Sequence, residues 1–230
     1  MRLLIVSDLH ANASALERVV EAADAVVFLG DAVDYGPDPA AAVAWVRDHA
    51  TWAVRGNHDH AVATGVETGA SPRLRAVAEE SAALTRVALT PVDRTFLGSL
   101  SLTVTFSFGG TVFQALHAAP SDPLHLYLPP STPDETWETE LGSVTGEWLL
   151  YGHTHLPFLR RFGDRMVLNP GSVGQPRDGV PMAAYAVWED GDVFLVRRAY
   201  AAEEVVERVA RLRLDERGRA QLVEVLRTGR

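Results

Sequence analysis

The chain has 230 residues, of which 30 are acidic and 21 basic, for a net charge of −9 at pH 7; such a charge repels polyanions and argues against extended nucleic acid as a partner, although an acid excess also serves solubility. Cysteine and lysine are both absent, which excludes disulfides, thiolate and Schiff-base catalysis, and any P-loop. No apolar run approaches the ~18 residues of a membrane span and the first is too short for a signal peptide, so a cytoplasmic protein is the default expectation.

Leu3 to Val6 is a continuous apolar run stopped by Ser7-Asp8, the pattern of a buried strand. Ala13 to Ala23 reads as a helix with Leu16, Val19 and Val20 on one face and Asn12 as its N-cap. A second strand follows from Ala25 to Leu29, a helix from Pro39 to Asp48 with proline in its first turn, and a third strand from Thr51 to Val54. Three β-then-α units in succession predict parallel strands with helices packed outside. Residues 61–100 have helical composition, with Gly65, Gly69, Pro72 and Pro91 as breaks, and read as a helical insert. Leu102–Phe106 and Thr111–Leu116 then form a hairpin about Gly109-Gly110. Further strands are expected at Glu147–Tyr151, Phe158–Phe162, Arg165–Leu168, Ala183–Trp188 and Asp192–Arg198, with Gly163-Asp164 and Asp190-Gly191 as turns. Amphipathic helices from about Ala201, broken near Leu214-Asp215, close the chain. With no repeat or low-complexity linker, residues 1–230 read as one domain with two sheets.

Metal-ligand residues gather where the apolar runs end: Asp8-Leu9-His10, Gly30-Asp31-Ala32-Val33-Asp34, Gly56-Asn57-His58-Asp59, His117 and Gly152-His153-Thr154-His155. Ligands at the C-terminal ends of parallel strands project into one crevice, so residues far apart in sequence converge. The donors are imidazole, carboxylate and amide without sulfur, a set that suits Mn²⁺, Fe, Zn²⁺ or Ni²⁺. Their number exceeds the needs of one ion. The pattern therefore reads as a two-metal hydrolytic site that attacks phosphate esters with an activated water. Taken singly, Asp8 or Asp31 could cap the following helix, His117 could be a core histidine, and His153 and His155 a surface pair; their occurrence in order favours ligation.

This ordered series, Asp-x-His, Gly-Asp-x-x-Asp, Gly-Asn-His-Asp, His and Gly-His-x-His, resembles the calcineurin-like metallophosphoesterase superfamily over roughly residues 1 to 190. Tyr35-Gly36-Pro37, His117-Ala118-Ala119-Pro120 and Asn169-Pro170-Gly171-Ser172-Val173-Gly174 look like its compact bacterial and archaeal phosphodiesterase branch. The resemblance implies an α/β fold, a four-layer α/β/β/α sandwich of two mixed sheets with a dinuclear metal site at the C-terminal strand edge. It also implies that Asp8, His10 and His155 hold one divalent ion, that Asn57, His117 and His153 hold the other, and that Asp31 bridges them, with manganese the leading candidate. His58 is implied as the catalytic acid, oriented by Asp34. The expected substrates are small phosphodiesters, phosphomonoesters or dinucleoside polyphosphates, cleaved by in-line attack of a water or hydroxide shared between the ions. The alternatives are a catalytically silent scaffold of the same fold and a serine/threonine-type protein phosphatase. In those phosphatases an arginine follows the second aspartate of the Gly-Asp motif; here that position is Tyr35, which removes a bidentate phosphate clamp.

Some roles stay open. Asp59 could cap a helix or support a ligand. Tyr35, His60, His125 and Tyr127 could line the substrate pocket or the surface, and Arg177 could reach the substrate or sit solvated in a loop. His49 suits a helix C-terminus and carries no assigned chemistry. The helical insert names no leaving group, and homo-oligomerisation is left undecided.

Overall fold

The computed structural model describes residues 1–71 and 73–230, so the break expected at Pro72 lies outside the described residues. In chain order the elements are β1 (Arg2–Val6), α1 (Ala13–Leu16), β2 (Ala25–Phe28), α2 (Pro39–His49), β3 (Trp52–Ala53) and α3 (Asn57–Thr64), followed by α4 (Arg75–Ala88), α5 (Pro91–Ser99), β4 (Thr103–Phe108), β5 (Thr111–Leu116) and α6 (Asp134–Leu141). The second half continues with β6 (Trp148–Leu150), β7 (Phe158–Phe162), β8 (Arg165–Asn169), β9 (Ala183–Glu189), β10 (Asp192–Arg198), α7 (Ala202–Val209) and α8 (Glu216–Thr228).

Two five-stranded mixed sheets form, in the orders β10-β9-β1-β2-β3 and β4-β5-β6-β8-β7. In the first, β1, β2 and β3 are parallel, and β9 runs antiparallel to β1. In the second, β5, β6 and β8 are parallel, with antiparallel strands at both edges. Strand alternation assigns each apolar side chain to a layer. Leu3 and Ile5 face inward and pack between the sheets with Val27, Phe113, Leu150, Leu168 and Trp188. Leu4 and Val6, one residue out of phase, pack outward with Phe28, Val43 and Val46 under the helices of the first sheet. On the far side of the second sheet, Leu149, Tyr151 and Val167 bury against Trp137 and Leu141 of α6. The result is the expected α/β/β/α sandwich.

One predicted helix is much shorter than its pattern suggests. Asn12 caps α1 as expected, its side chain accepting from the Ala15 N–H, a contact worth about 1 kcal/mol. The helix nevertheless ends at Leu16, not Ala23. The next N–H groups, of Arg18 and Val19, donate to carbonyls three residues back, tightening the last turn. Arg2 and Asp24 then exchange bonds that draw the chain into β2, and Val20 is left exposed. Tertiary pairing overrides the helical pattern of two β-branched valines. In the insert, α3 begins at Asn57, earlier than residue 61, and α4 and α5 supply the rest.

Candidate metal centre

The loops after β1, β2, β3, β5 and β6 all open at one edge of the sandwich. Backbone bonds lock them together: Asp8 N donates to Gly30 O at 2.9 Å, His10 N to Asp31 O at 3.1 Å, and Gly152 N to His117 O at 2.9 Å. Asp8, His10, Ala11, Asp31, Asp34, Tyr35, His153 and His155 all adopt positive φ between 43° and 70°. Side chains other than glycine adopt this left-handed region rarely and at a cost, and such strain concentrates at functional sites. Turning the backbone here aims successive side chains into the same crevice.

Asp8, His10 and His155 form one buried cluster, and Asp31, His117 and His153 a second; within each, one ligand atom per residue lies within 4.8 Å of the others. In the first, His155 Nε2 lies 3.2 Å from Asp8 Oδ1 and 3.2 Å from His10 Nε2. In the second, His117 Nε2 is 3.2 Å from Asp31 Oδ2, 3.2 Å from His153 Nδ1 and 3.1 Å from Asn57 Oδ1. Asp31 Oδ2 also lies 4.0 Å from His10 Nε2, so this carboxylate faces both clusters.

The protonation of these rings tests whether metal ions fit. His10 Nδ1 lies 3.0 Å from Val33 O and His155 Nδ1 lies 2.5 Å from Gln175 O. A carbonyl only accepts, so both Nδ1 atoms carry the proton and both Nε2 atoms present lone pairs. Burial holds both imidazoles below their ordinary pKa, reinforced at His10 by His155 and at His155 by Arg177, so they are neutral at pH 7. Two lone pairs thus face each other across 3.2 Å, beside an Asp8 Oδ1 that is buried without a hydrogen-bond partner. Such an arrangement is repulsive unless a cation lies among the donors. The second cluster is built the same way. His117 Nδ1 donates to Leu29 O at 2.7 Å, and the Asn57 amide nitrogen donates to Thr68 O at 2.7 Å, which turns its oxygen inward. Burial pushes His117 down, but Asp31 outweighs it and raises the ring to about 9, so a proton and a metal compete for the same lone pair. The donor set fits two divalent ions.

Beside the clusters, His58 Nδ1 lies 2.8 Å from Asp34 Oδ2, both side chains buried. Burial disfavours charge on His58, but Asp31 and Asp34 outweigh it and raise the imidazole above its ordinary value. Cations at Asp31 would offset that carboxylate, leaving the Asp34 bond as the main support of the imidazolium. The Tyr35 ring is wedged 4.8 Å from both His10 and His58. A cavity of about 190 Å³ opens over these groups, with Tyr35, His125, Tyr127 and Arg177 on its walls. Arg177 is therefore a cavity residue and not a solvated loop arginine. His60 is absent from the walls, and His49 stacks on Trp45 at an exposed helix end.

Sequence reasoning left Asp59 open between capping a helix and supporting a ligand, and the structure gives it both tasks, whereas the part played by Glu79 escaped it. The Asp59 carboxylate accepts from the N–H groups of Asp31 at 2.8 Å, Ala32 at 2.9 Å and Gly56 at 3.2 Å, so it caps α3 and also ties two ligand loops together. Burial and the neighbouring Asp31 push it up to about 7. Glu79 of α4 accepts from both the N–H and hydroxyl of Thr68, whose carbonyl holds Asn57. Ser172 donates to Asp8 O, and Asn169 to Gly152 O. The only sequence signal was an acid or hydroxyl near a motif, which is too common to stand out.

A two-sheet sandwich with paired Asp–His clusters at its C-terminal strand ends is the architecture of a phosphoric ester hydrolase. Residues 1–191 match the calcineurin-like phosphoesterase superfamily domain, and the chain belongs to that superfamily. It is 28% identical over 212 residues to the phosphodiesterase YfcE of Escherichia coli strain K12, spanning 85% of this chain and 91% of that protein. An uncharacterized protein of Methanocaldococcus jannaschii is 29% identical, over 92% of this chain and 93% of its own. The crystal structure of a metallophosphoesterase from Sphaerobacter thermophilus superposes with a TM-score of 0.84 at 29% identity, covering 100% of this chain and 99% of that one. No helix among the described residues is long and apolar enough to cross a membrane.

Proposed function

We propose that this chain is a dinuclear-metal-dependent hydrolase of small phosphodiesters, phosphomonoesters or dinucleoside polyphosphates. The supporting observation is the convergence of unprotonated imidazole nitrogens and a partnerless carboxylate oxygen at 3.2 Å. Asp8, His10 and His155 hold one ion, Asn57, His117 and His153 the other, and Asp31 both. Manganese suits a sulfur-free set of carboxylate, amide and imidazole. Bound there, two divalent ions supply Lewis acidity to the phosphoryl oxygens and lower the pKa of a coordinated water.

The protein's own groups complete the reaction. Hydrolysis joins a water oxygen to phosphorus and breaks the bond to the leaving oxygen; the water gives up a proton, and the leaving oxygen takes one from His58 Nε2. Asp34, accepting from Nδ1, fixes the ring so that Nε2 carries the transferable proton. Arg177 and Tyr35, on the cavity wall, contact the non-bridging oxygens. Residues 1–230 act as one unit, because α7 and α8 pack directly on Tyr35.

Purified protein should hydrolyse bis-p-nitrophenyl phosphate with Mn²⁺ stimulation, and a chelator should abolish turnover. Protein that binds two ions tightly yet turns over nothing in a broad phosphoester panel would instead be a scaffold.

A further inference from the structure

A second groove opens directly off the metal-site cavity. Ser71, Leu74 and Arg177 line both, and the groove adds about 330 Å³ walled by Arg73, Gln221, Val225 and Arg230. The chain carries 30 acids against 21 arginines, yet among the described residues no acidic side chain lines this groove and three arginines converge on it. Arg177 and Arg230 have no acidic partner within 4.0 Å among the described residues; Arg73 has only an exposed contact to Glu224 at 3.5 Å. Arg177 Nη2 donates to Gln175 Oε1 at 2.6 Å, while its buried Nε has no partner. The guanidinium lies beside the Tyr35 hydroxyl and borders both spaces.

We propose that this groove binds a second anionic group of the substrate, so that the preferred class carries two or more phosphates and not one. The inference rests on the phosphoesterase reading: the scissile phosphate sits over the metal-site donors, and the next sits beyond Arg177 against Arg230 and Gln221. Planar guanidinium groups match phosphate oxygens in a bidentate way, and among the described residues those of Arg177 and Arg230 are not already paired with a carboxylate, whereas Arg73 has its exposed contact to Glu224. Single-phosphate esters fill the cavity, reach Arg177 and leave Arg73 and Arg230 unused. The α8 residues of this wall lie beyond the 1–191 segment that matches the superfamily domain, whereas Ser71, Arg73, Leu74 and Arg177 lie within it.

The test compares methylenebisphosphonate with methylphosphonate by titration calorimetry and by inhibition of bis-p-nitrophenyl phosphate hydrolysis, at matched free Mn²⁺. A bisphosphonate also chelates metal, so the decisive readout is the ratio of the two affinities across variants. Arg230→Gln, at the end of α8, should lower the bisphosphonate preference about tenfold, the usual effect of losing one charged hydrogen bond, and Gln221→Glu should lower it at least as much by setting a carboxylate against the anion. Circular dichroism checks that each variant is folded, and two substitutions of different chemistry guard against one failing. An unchanged ratio in both folded variants overturns the subsite. Hydrolysis of bis-p-nitrophenyl phosphate by the wild type, together with an unchanged ratio in both folded variants, keeps the phosphoesterase reading and sinks only the groove. Protein inert toward every phosphoester, yet with a ratio that falls in the variants, sinks the catalytic reading and keeps the anion site.

Discussion

His58 and Asp34 meet through a 2.8 Å bond between Nδ1 and Oδ2, buried at the side of the cavity, and neither side chain is a donor in either cluster. The pair is thus placed to handle a proton without taking part in ligation. His58→Ala should keep its metal content but lose turnover by ~10²–10⁴-fold on an alkyl phosphoester, the range for a general acid. On p-nitrophenyl esters, whose leaving group needs little protonation, the loss should be smaller. Asp34→Asn should behave as a weaker version of the same defect, and the two changes should not add. Equal rates of wild type and His58→Ala on the alkyl ester would remove the imidazole from the chemistry.

Asp31 faces both clusters, whereas His155 faces one. Metal analysis after dialysis against Mn²⁺ should find about one equivalent lost in His155→Ala and both weakened in Asp31→Ala, by the logic of a shared ligand. Two full equivalents in the Asp31 variant would contradict the bridging role.

Asp59 is a donor in neither metal cluster, yet its carboxylate satisfies three buried N–H groups. Asp59→Ala leaves them unpaired, at ~1–3 kcal/mol each. Denaturant unfolding should show a loss of ~3 kcal/mol or more, with weakened Mn²⁺ affinity because the Asp31 and Gly56 loops come apart. A loss under ~1 kcal/mol would mean water replaces the carboxylate.

Glu21 reports acid stability away from the site. Burial raises its pKa, but the Tyr185 hydroxyl and the Arg198 guanidinium outweigh that and hold it below its ordinary 4.5. A depressed carboxyl stabilises the fold above the unfolded-state value, and the benefit is lost as pH falls through the lower, folded value. Urea midpoints should therefore decline below about pH 4.5, and Glu21→Gln should flatten that decline. Parallel curves for the two proteins would rule the clamp out.

Alanine should cost more at Gly174 than at Gly163. A Cβ at Gly174 would lie 1.8 Å from the Leu9 carbonyl oxygen, while one at Gly163 meets nothing within 4 Å. Gly163→Ala should cost about 1 kcal/mol for its left-handed φ, and Gly174→Ala about 3 kcal/mol or more through overpacking. Melting temperatures in the reverse order would show that the Leu9 loop can yield.

Much of this architecture was legible because strand and motif coincide. Leu3–Val6, Ala25–Leu29 and Thr51–Val54 are apolar runs that end at ligand residues, so one pattern located both strands and site. Less was legible where the determinant is tertiary. Val19 and Val20 keep helical spacing, yet pairing with Arg2 captures the chain first. Nothing in Asp-His-Ala announces that Asp59 would reach back to Asp31, and no periodicity reveals a left-handed backbone at Asp8 or His155. Arg177 was ambiguous because its surroundings come from α8 and from Ser71, Arg73 and Leu74, all remote in sequence.

Tyr35 shares a packed cluster with Val205, Val209, Leu222 and Leu226 of the terminal helices, and with Val77 of α4, while its ring touches His10 and His58. Evolution can therefore retune what the pocket accepts by editing the tail of the chain, leaving the ancestral ligands untouched. The same contact gives a remote handle to an engineer: conservative swaps at Leu222 or Leu226 shift the tyrosine wall without removing a single group that meets the phosphoester.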